Sequence, residues 1–176
     1  IHHYDHRWAT FESDGSTHDC LSRQKSQADF SIRPRYWVDR HELHSRLASL
    51  GWDRDWLMGW RNIARSTDER TLIASVFPRF GFSNSGILLL PALDDNRIGA
   101  LYASICSLVC DFVVRQKVGG ANTTQNYVKQ FPVIPPSSYS QGDLAFIVPR
   151  VAELTYTSHD LRAWAKDLGF DGPPFP

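Results

Sequence analysis

The chain has no surplus of either charge. Lys and Arg together number 19, Asp and Glu also number 19, and the formal net charge is zero. That excludes the strongly basic composition of an autonomous, nonspecific nucleic-acid binder, while leaving room for a local basic face. Cysteine is scarce. Cys20, Cys106 and Cys110 are an odd set without regular spacing, which excludes a disulfide framework and fits a reducing, cytoplasmic setting. Long apolar runs are missing as well. The longest, Ile98 to Val114, is interrupted by Tyr102, Ser104, Ser107 and Asp111. It falls short of the ~20 apolar residues that a bilayer span needs, so no membrane partner is expected. There is no Gly-x-Gly-x-x-Gly, no phosphate loop and no internal repeat.

What is present is enough for a folded domain. Hydrophobic residues make up 42% of 176 residues and aromatics 12%, which supports a core of ordinary size. The first 31 residues are polar and weakly periodic. His2, His3, Asp5 and His6 read as a solvated or locally hydrogen-bonded segment rather than a metal site. Ser13 to Thr17 reads as a turn.

Phe30 to Val38 reads as extended, with Pro34 favouring an edge or a connection. Asp39 then opens a helix: it can cap free N–H groups, Glu42 occupies the third position, and Val38 and Leu43 suit a flanking staple. Leu43, Leu47 and Leu50 give the buried stripe, and Gly51 can end the helix in a left-handed conformation. Trp56 to Trp60 and Thr71 to Phe77 read as strands of a hairpin joined by Ser66 to Arg70, and Ile87 to Leu90 as a further short buried strand. Asp94 to Arg115 has the strongest helical period, running through Ile98, Leu101, Tyr102, Ile105, Leu108, Val109, Phe112 and Val113. Cys106 and Cys110 then read as two small core residues. Arg115 and Lys117 suit the helix end, and Gly119-Gly120 stops it. Helix resumes after Ser140 with a kink or new start at Pro149, and a last apolar face runs through Leu161, Trp164, Ala165 and Leu168. The order predicts an α+β fold, a mixed or antiparallel sheet with packed helices. Residues 1–139 are expected to form the core unit and 140–176 a helical C-terminal segment.

Catalytic patterns are absent. Adenine methyl transfer needs an Asn/Asp/Ser-Pro-Pro-aromatic tetrad whose first side chain accepts from the amine. Gly172-Pro-Pro-Phe175 has no such side chain and follows the last helix, so it reads as a rigid tail. A nuclease's Glu-x-Lys is missing, since Glu12, Glu42, Glu69 and Glu153 lack Lys two positions on. No catalysis and no metal or cofactor in this segment are expected.

Several segments together resemble the C-terminal part of large adenine-specific restriction–modification DNA methyltransferases, both single-chain type II enzymes and methylases of phage-defence systems. They are Tyr4-Asp-His-Arg-Trp8, Pro34-Arg-Tyr-Trp-Val38, Trp56-Leu-Met-Gly-Trp-Arg-Asn-Ile63 and Thr67 to Arg79. Phe112 to Gly120, Gln130-Phe-Pro-Val-Ile-Pro-Pro136, Glu153-Leu-Thr-Tyr156 and Leu168 to Phe175 continue the series. One departure is Ala121, where the glycine pair of such proteins is often followed by Thr. The resemblance implies a target-recognition domain cut from a larger protein. In that protein a preceding domain binds S-adenosylmethionine and transfers the methyl group, while this segment chooses the site on double-stranded DNA. Base flipping by the parent enzyme is implied with it.

Reading a duplex requires phosphate contacts for position and base-edge contacts for sequence. Lys117 with the Gly119 and Gly120 amides is the leading phosphate site, supported by Arg115. Asn122, Thr123, Thr124 and Gln125 add donors and acceptors beside it, and Arg79 and Asn84 are expected to project from the loop after the second strand. Arg33 and Arg35 are weaker candidates. The competing expectation is a bracing module that contacts only the methyltransferase domain of its parent. A basic concave face would favour the first, an exposed apolar face the second.

Overall fold

The computed structural model describes every residue from Ile1 to Pro176. It is an α+β fold with two small antiparallel sheets and seven α-helices. The first sheet is a hairpin, β1 (Ala9–Phe11) with β2 (Thr17–Asp19), turning through Gly15. A short α1 (Ser22–Lys25) follows. The polar N-terminal segment is more than a solvated strip. Arg7 is wholly buried, forks onto Asp5, and donates to the carbonyls of Lys25, Gln27 and Phe30 and to the Thr157 hydroxyl at 3.1 Å. A buried guanidinium is tolerated because its donors are satisfied.

Phe30 to Val38 forms no strand. Its base is fixed on β1, where the Arg33 amide donates to Thr10 Oγ1 (2.9 Å) and the Arg33 carbonyl accepts from Phe11 (3.1 Å). Pro34 then removes the next donor. α2 (Arg40–Ser49) begins as expected, with Asp39 accepting from the His41 and Glu42 amides, and Gly51 closes it at φ +72°. Only Leu47 of the stripe is buried; Leu43 is half-buried, and Leu50 beyond the last turn is exposed.

The second sheet has strand order β4-β3-β5. β3 (Trp56–Arg61) is central, and β4 (Ala74–Pro78) and β5 (Gly86–Leu89) flank it antiparallel. Trp56 faces Pro78, and Arg61 faces Gly86. β3 is buried along nearly its whole length, so it reads as a continuous apolar run rather than an alternating one. Gly59 is required by close approach: a Cβ there would lie 2.3 Å from the Ile87 carbonyl oxygen. β5 is half-buried rather than buried. β4 and β5 run the same way, so residues 79–85 must cross from one end of the sheet to the other. Phe80 and Phe82 stack on Phe77 during that crossing, at 5.2 and 4.6 Å.

The long helical period is two helices. α3 (Asp95–Cys106) and α4 (Leu108–Lys117) meet at Ser107 with a bend of 57°. Ser107 is extended, its hydroxyl donates to Ser104 and accepts from the Cys110 amide, and α4 therefore starts with its own cap. Bending turns Leu108, Val109 and Phe112 away from the core, and they are 72%, 73% and 64% exposed. Cys106 and Cys110 do lie buried and unpaired. No single helix is long and apolar enough to cross a membrane.

α5 (Gln125–Val128) is short. α6 (Gln141–Thr155) starts in a reciprocal Ser140–Asp143 cap and runs through Pro149 without restarting. The carbonyl that Pro149 leaves free belongs to exposed Ala145, where water can take it. α6 packs on α3, and α7 (Arg162–Asp167) ends at Gly169, φ +82°. One 26-residue core joins Leu47 of α2, β3, β4, α3, α6 and Trp164 of α7. The tail is docked: the Phe175 amide donates to Tyr156 and the Phe170 and Phe175 rings lie 4.7 Å apart.

Candidate nucleic-acid interface

The two ends of the three-stranded sheet differ, and the sequence-predicted residues divide between them. At the end where β3 finishes, Asn62 is the common anchor. Its amide donates to Ser85 (2.8 Å), its side-chain nitrogen donates to the Asn84 carbonyl (3.3 Å), and its own carbonyl accepts from Thr123 (2.6 Å). The Ala64 amide donates to Ala121 (3.1 Å), Ile63 bridges Asn122, and the Trp60 indole donates to the Thr123 carbonyl (2.9 Å). Backbone groups thus hold the loop after α4 and the loop before β5 on one rim. Asn84, Asn122 and Gln125 are exposed on it, and Thr124 is half-buried at the start of α5.

Lys117 is exposed and has no ion-pair partner. The helix ends on Val118 in an extended conformation, and neither Gly119 nor Gly120 adopts the left-handed form expected of a helix stop. Their amide N–H groups make no hydrogen bond within the chain, and a Cβ on either would meet nothing within 4 Å. These two glycines expose free donors in open space.

Three predicted residues are placed otherwise than expected. The Thr123 side chain is fully buried, with its hydroxyl inside and without a partner, because the loop's bonds to Asn62 and Trp60 draw it onto the sheet. Arg115 is a clamp: it donates to the carbonyls of Ser66 (2.7 Å) and Glu69 (2.8 Å) and to Asp111 (3.2 Å). Arg79 lies at the opposite end of the sheet, paired with Asp55 at 3.1 Å and reaching the Trp52 carbonyl. It is separated from Asn84 by the crossing segment.

Asp111 is the residue that sequence reading missed. Buried in α4, its Oδ1 accepts from the Thr71 and Leu72 amides, both at 2.8 Å, while Oδ2 takes Arg115. Asp111 and Arg115, one helical turn apart, fix both ends of the Arg65–Thr71 loop that borders the rim. A lone carboxylate inside an apolar helical run was the available signal.

Below the same rim lies a hollow of about 350 Å³ lined by His2, His3, Tyr4, Trp8, Arg61, Asp68, Glu69, Arg70 and Ile73. Burial, then the Arg70 charge, pushes the His3 imidazole down to about 4. Tyr4 has φ +67°, a conformation that an L side chain rarely adopts, and one Arg70 nitrogen is buried without a partner. Burial pushes the Cys106 and Cys110 thiols up to about 12 and about 11, which leaves neither as a thiolate nucleophile. No group of three or more His, Cys, Asp or Glu side chains has the arrangement to hold a metal ion. No protein-family model, curated protein or solved structure matches the chain.

Proposed function

We propose that this chain is the target-recognition part of an adenine-specific DNA methyltransferase of a restriction–modification system, reading duplex DNA in the bacterial cytoplasm without catalysing methyl transfer itself. In this reading S-adenosylmethionine belongs to the parent enzyme, and the partners are double-stranded DNA and the parent's methyltransferase domain. The observation that carries it is the rim built on Asn62. It presents the unbonded amides of Gly119 and Gly120 and the unpaired Lys117 beside Asn84, Asn122 and Gln125. Free amides and an ammonium group suit phosphate, and exposed carboxamides suit adenine N6 and N7. The resemblance of the flanking segments to such methyltransferases supports the same reading.

The exposed face of α4 favours a second role for the same chain, bracing against its parent. Leu108, Val109 and Phe112 line a shallow groove of about 480 Å³ with Glu69, Asp111 and Arg115. Selection from a randomised duplex pool at low salt tests both. An enriched motif establishes recognition by this chain. No binding at any salt, with capture of the methyltransferase domain through α4, establishes bracing alone.

A further inference from the structure

A second surface carries nucleic-acid chemistry away from the rim: the arm from Arg33 to Arg40. Its base is pinned to β1 through Arg33, and its far end is fixed by the Asp39 cap of α2. Val38 lies against the crossing segment, since a Cβ on Gly81 would come 2.6 Å from Val38 Cγ1. Between these anchors Tyr36 and Trp37 are 77% and 79% exposed. Four of the other tryptophans are core residues, so an indole held out in water on an anchored arm is unlike the rest of the molecule. Trp8, the remaining one, is 38% exposed, about half as much as Trp37, and the His2 ring stacks on it at 4.7 Å.

The charge around these rings points to one occupant. Arg33, Arg35, Arg40 and Arg46 face only Asp39 and Glu42 in this stretch of sequence. Arg33, Arg35 and Arg40 make no ion pair, and no acceptor within the chain takes their guanidinium groups. Asp39 is occupied by the helix amides. The Arg35 guanidinium lies over the Tyr36 ring, its Cζ 5.2 Å from the ring centroid, so a cation already sits against one face of the pair. An apolar protein partner would bury these cations without compensation. A nucleobase attached to its phosphates satisfies both features, because the ring face stacks and the phosphates take the arginines.

We propose that Tyr36 and Trp37 form a stacking platform for an unstacked base of a DNA strand, with Arg33, Arg35 and Arg40 on the flanking phosphates. The proposal rests on the reading of the chain as a DNA-binding domain and adds to it a contact with locally opened DNA, separate from the duplex-reading rim.

The test measures binding of the full 176-residue chain to a labelled single strand, a duplex with a central mismatched bubble, and a fully paired duplex. Trp37→Ala is expected to weaken the single strand and the bubble roughly tenfold while sparing the paired duplex. Trp37→Phe keeps a ring face and retains most of the affinity; Trp37→Leu keeps bulk without one and loses it. Arg33→Ala with Arg35→Ala lowers the salt slope on the single strand by about 1.4. The side chains are exposed, so thermal unfolding serves as the control that the variants fold. Wild-type affinity of Tyr36→Ala and Trp37→Ala for the single strand and the bubble overturns the proposal. So does tryptophan emission that shifts on anionic lipid vesicles and not on oligonucleotides, with that shift lost in Trp37→Ala. If the paired duplex is bound through Lys117 but the arm variants change nothing, the arm proposal alone fails. If no probe is bound, the DNA-binding reading fails with it.

Discussion

The rim around Asn62 and the arm around Trp37 hold their exposed groups in opposite ways. The rim is stitched by main-chain hydrogen bonds between three loops, and what it offers outward is polar: amides, carboxamides and one ammonium. The arm is hydrogen-bonded only at its two ends, with Val38 packed beside the second, and offers rings and guanidinium groups. A surface that reads base edges needs donors and acceptors held to a fraction of an ångström. A stacking surface tolerates more freedom, because every base has a π-face. The difference in tethering therefore matches the difference in chemistry, and each tether can be cut separately.

The largest effect is expected from Arg7→Ala. Arg7 ties Asp5 to the carbonyls of Lys25, Gln27 and Phe30 and to Thr157, so it holds the N-terminal segment from which the arm departs. Removing it leaves buried carbonyl acceptors without donors and the Asp5 carboxylate with only the backbone amide of residue 7, at a cost of about 3–5 kcal/mol. Denaturant unfolding should show that loss. Amide exchange should rise first between Asp5 and Arg33 while Asn62 and Thr123 stay protected. Equal loss of protection at both surfaces would show that they are not independently held.

Trp60→Phe attacks the rim instead. The indole keeps its place in the core as a phenyl ring, but the Thr123 carbonyl loses its 2.9 Å donor. Leaving that buried acceptor unmet costs roughly 1–3 kcal/mol, together with some lost packing. Exchange at the hydrogen-bonded Ala64 and Thr123 amides should accelerate and the arm should be unaffected.

Acid should also act on the rim side. His3 in the hollow is pushed down to about 4 from an ordinary value of 6.5, by burial and then by Arg70, with His2 lowering it further and the Cys106 backbone and Asp111 opposing. Between those values the unfolded chain binds the proton and the folded chain does not. Stability therefore rises with pH across that window and is lost as pH falls from 6.5 toward 4. With His3 only partly buried the loss is on the order of 1 kcal/mol after solvent screening. His3→Gln should flatten the stability profile in that window, and an unchanged slope would place the titrating group elsewhere.

How much of this was legible in the sequence depended on how local the cause was. Asp39 and Gly51 bound α2 because a cap and a left-handed glycine act within a few residues. The β3–β4 hairpin was readable from its strand formers and polar connection. The break at Ser107 was masked, because Leu108, Val109 and Phe112 continue the apolar period that a buried helix would have, and only the third dimension turns them outward. Arg7 was illegible for a different reason: most of its acceptors are main-chain carbonyls, present at every residue and carrying no side-chain signal. Of the rim, Lys117 and the glycine pair were legible as an exposed basic loop. The grouping of Asn84 with Asn122, the burial of Thr123 and the separation of Arg79 follow from a crossing connection and from Asn62, which no periodicity reveals.

The smallest structural effect is expected from Lys117→Ala, and it is the sharpest comparison of the two surfaces. The side chain is exposed and makes no ion pair, so folding stability should not change measurably. On a duplex, loss of one phosphate contact should weaken binding about equally across sequences and reduce the slope of log K against log salt by about one. On a single strand held by the arm, the slope should stay as it is. An unchanged duplex slope removes Lys117 from the phosphate site and leaves the Gly119 and Gly120 amides to be tested alone. Gly120→Ala does that, since a methyl group meets nothing in the free chain but would stand between those donors and a phosphate.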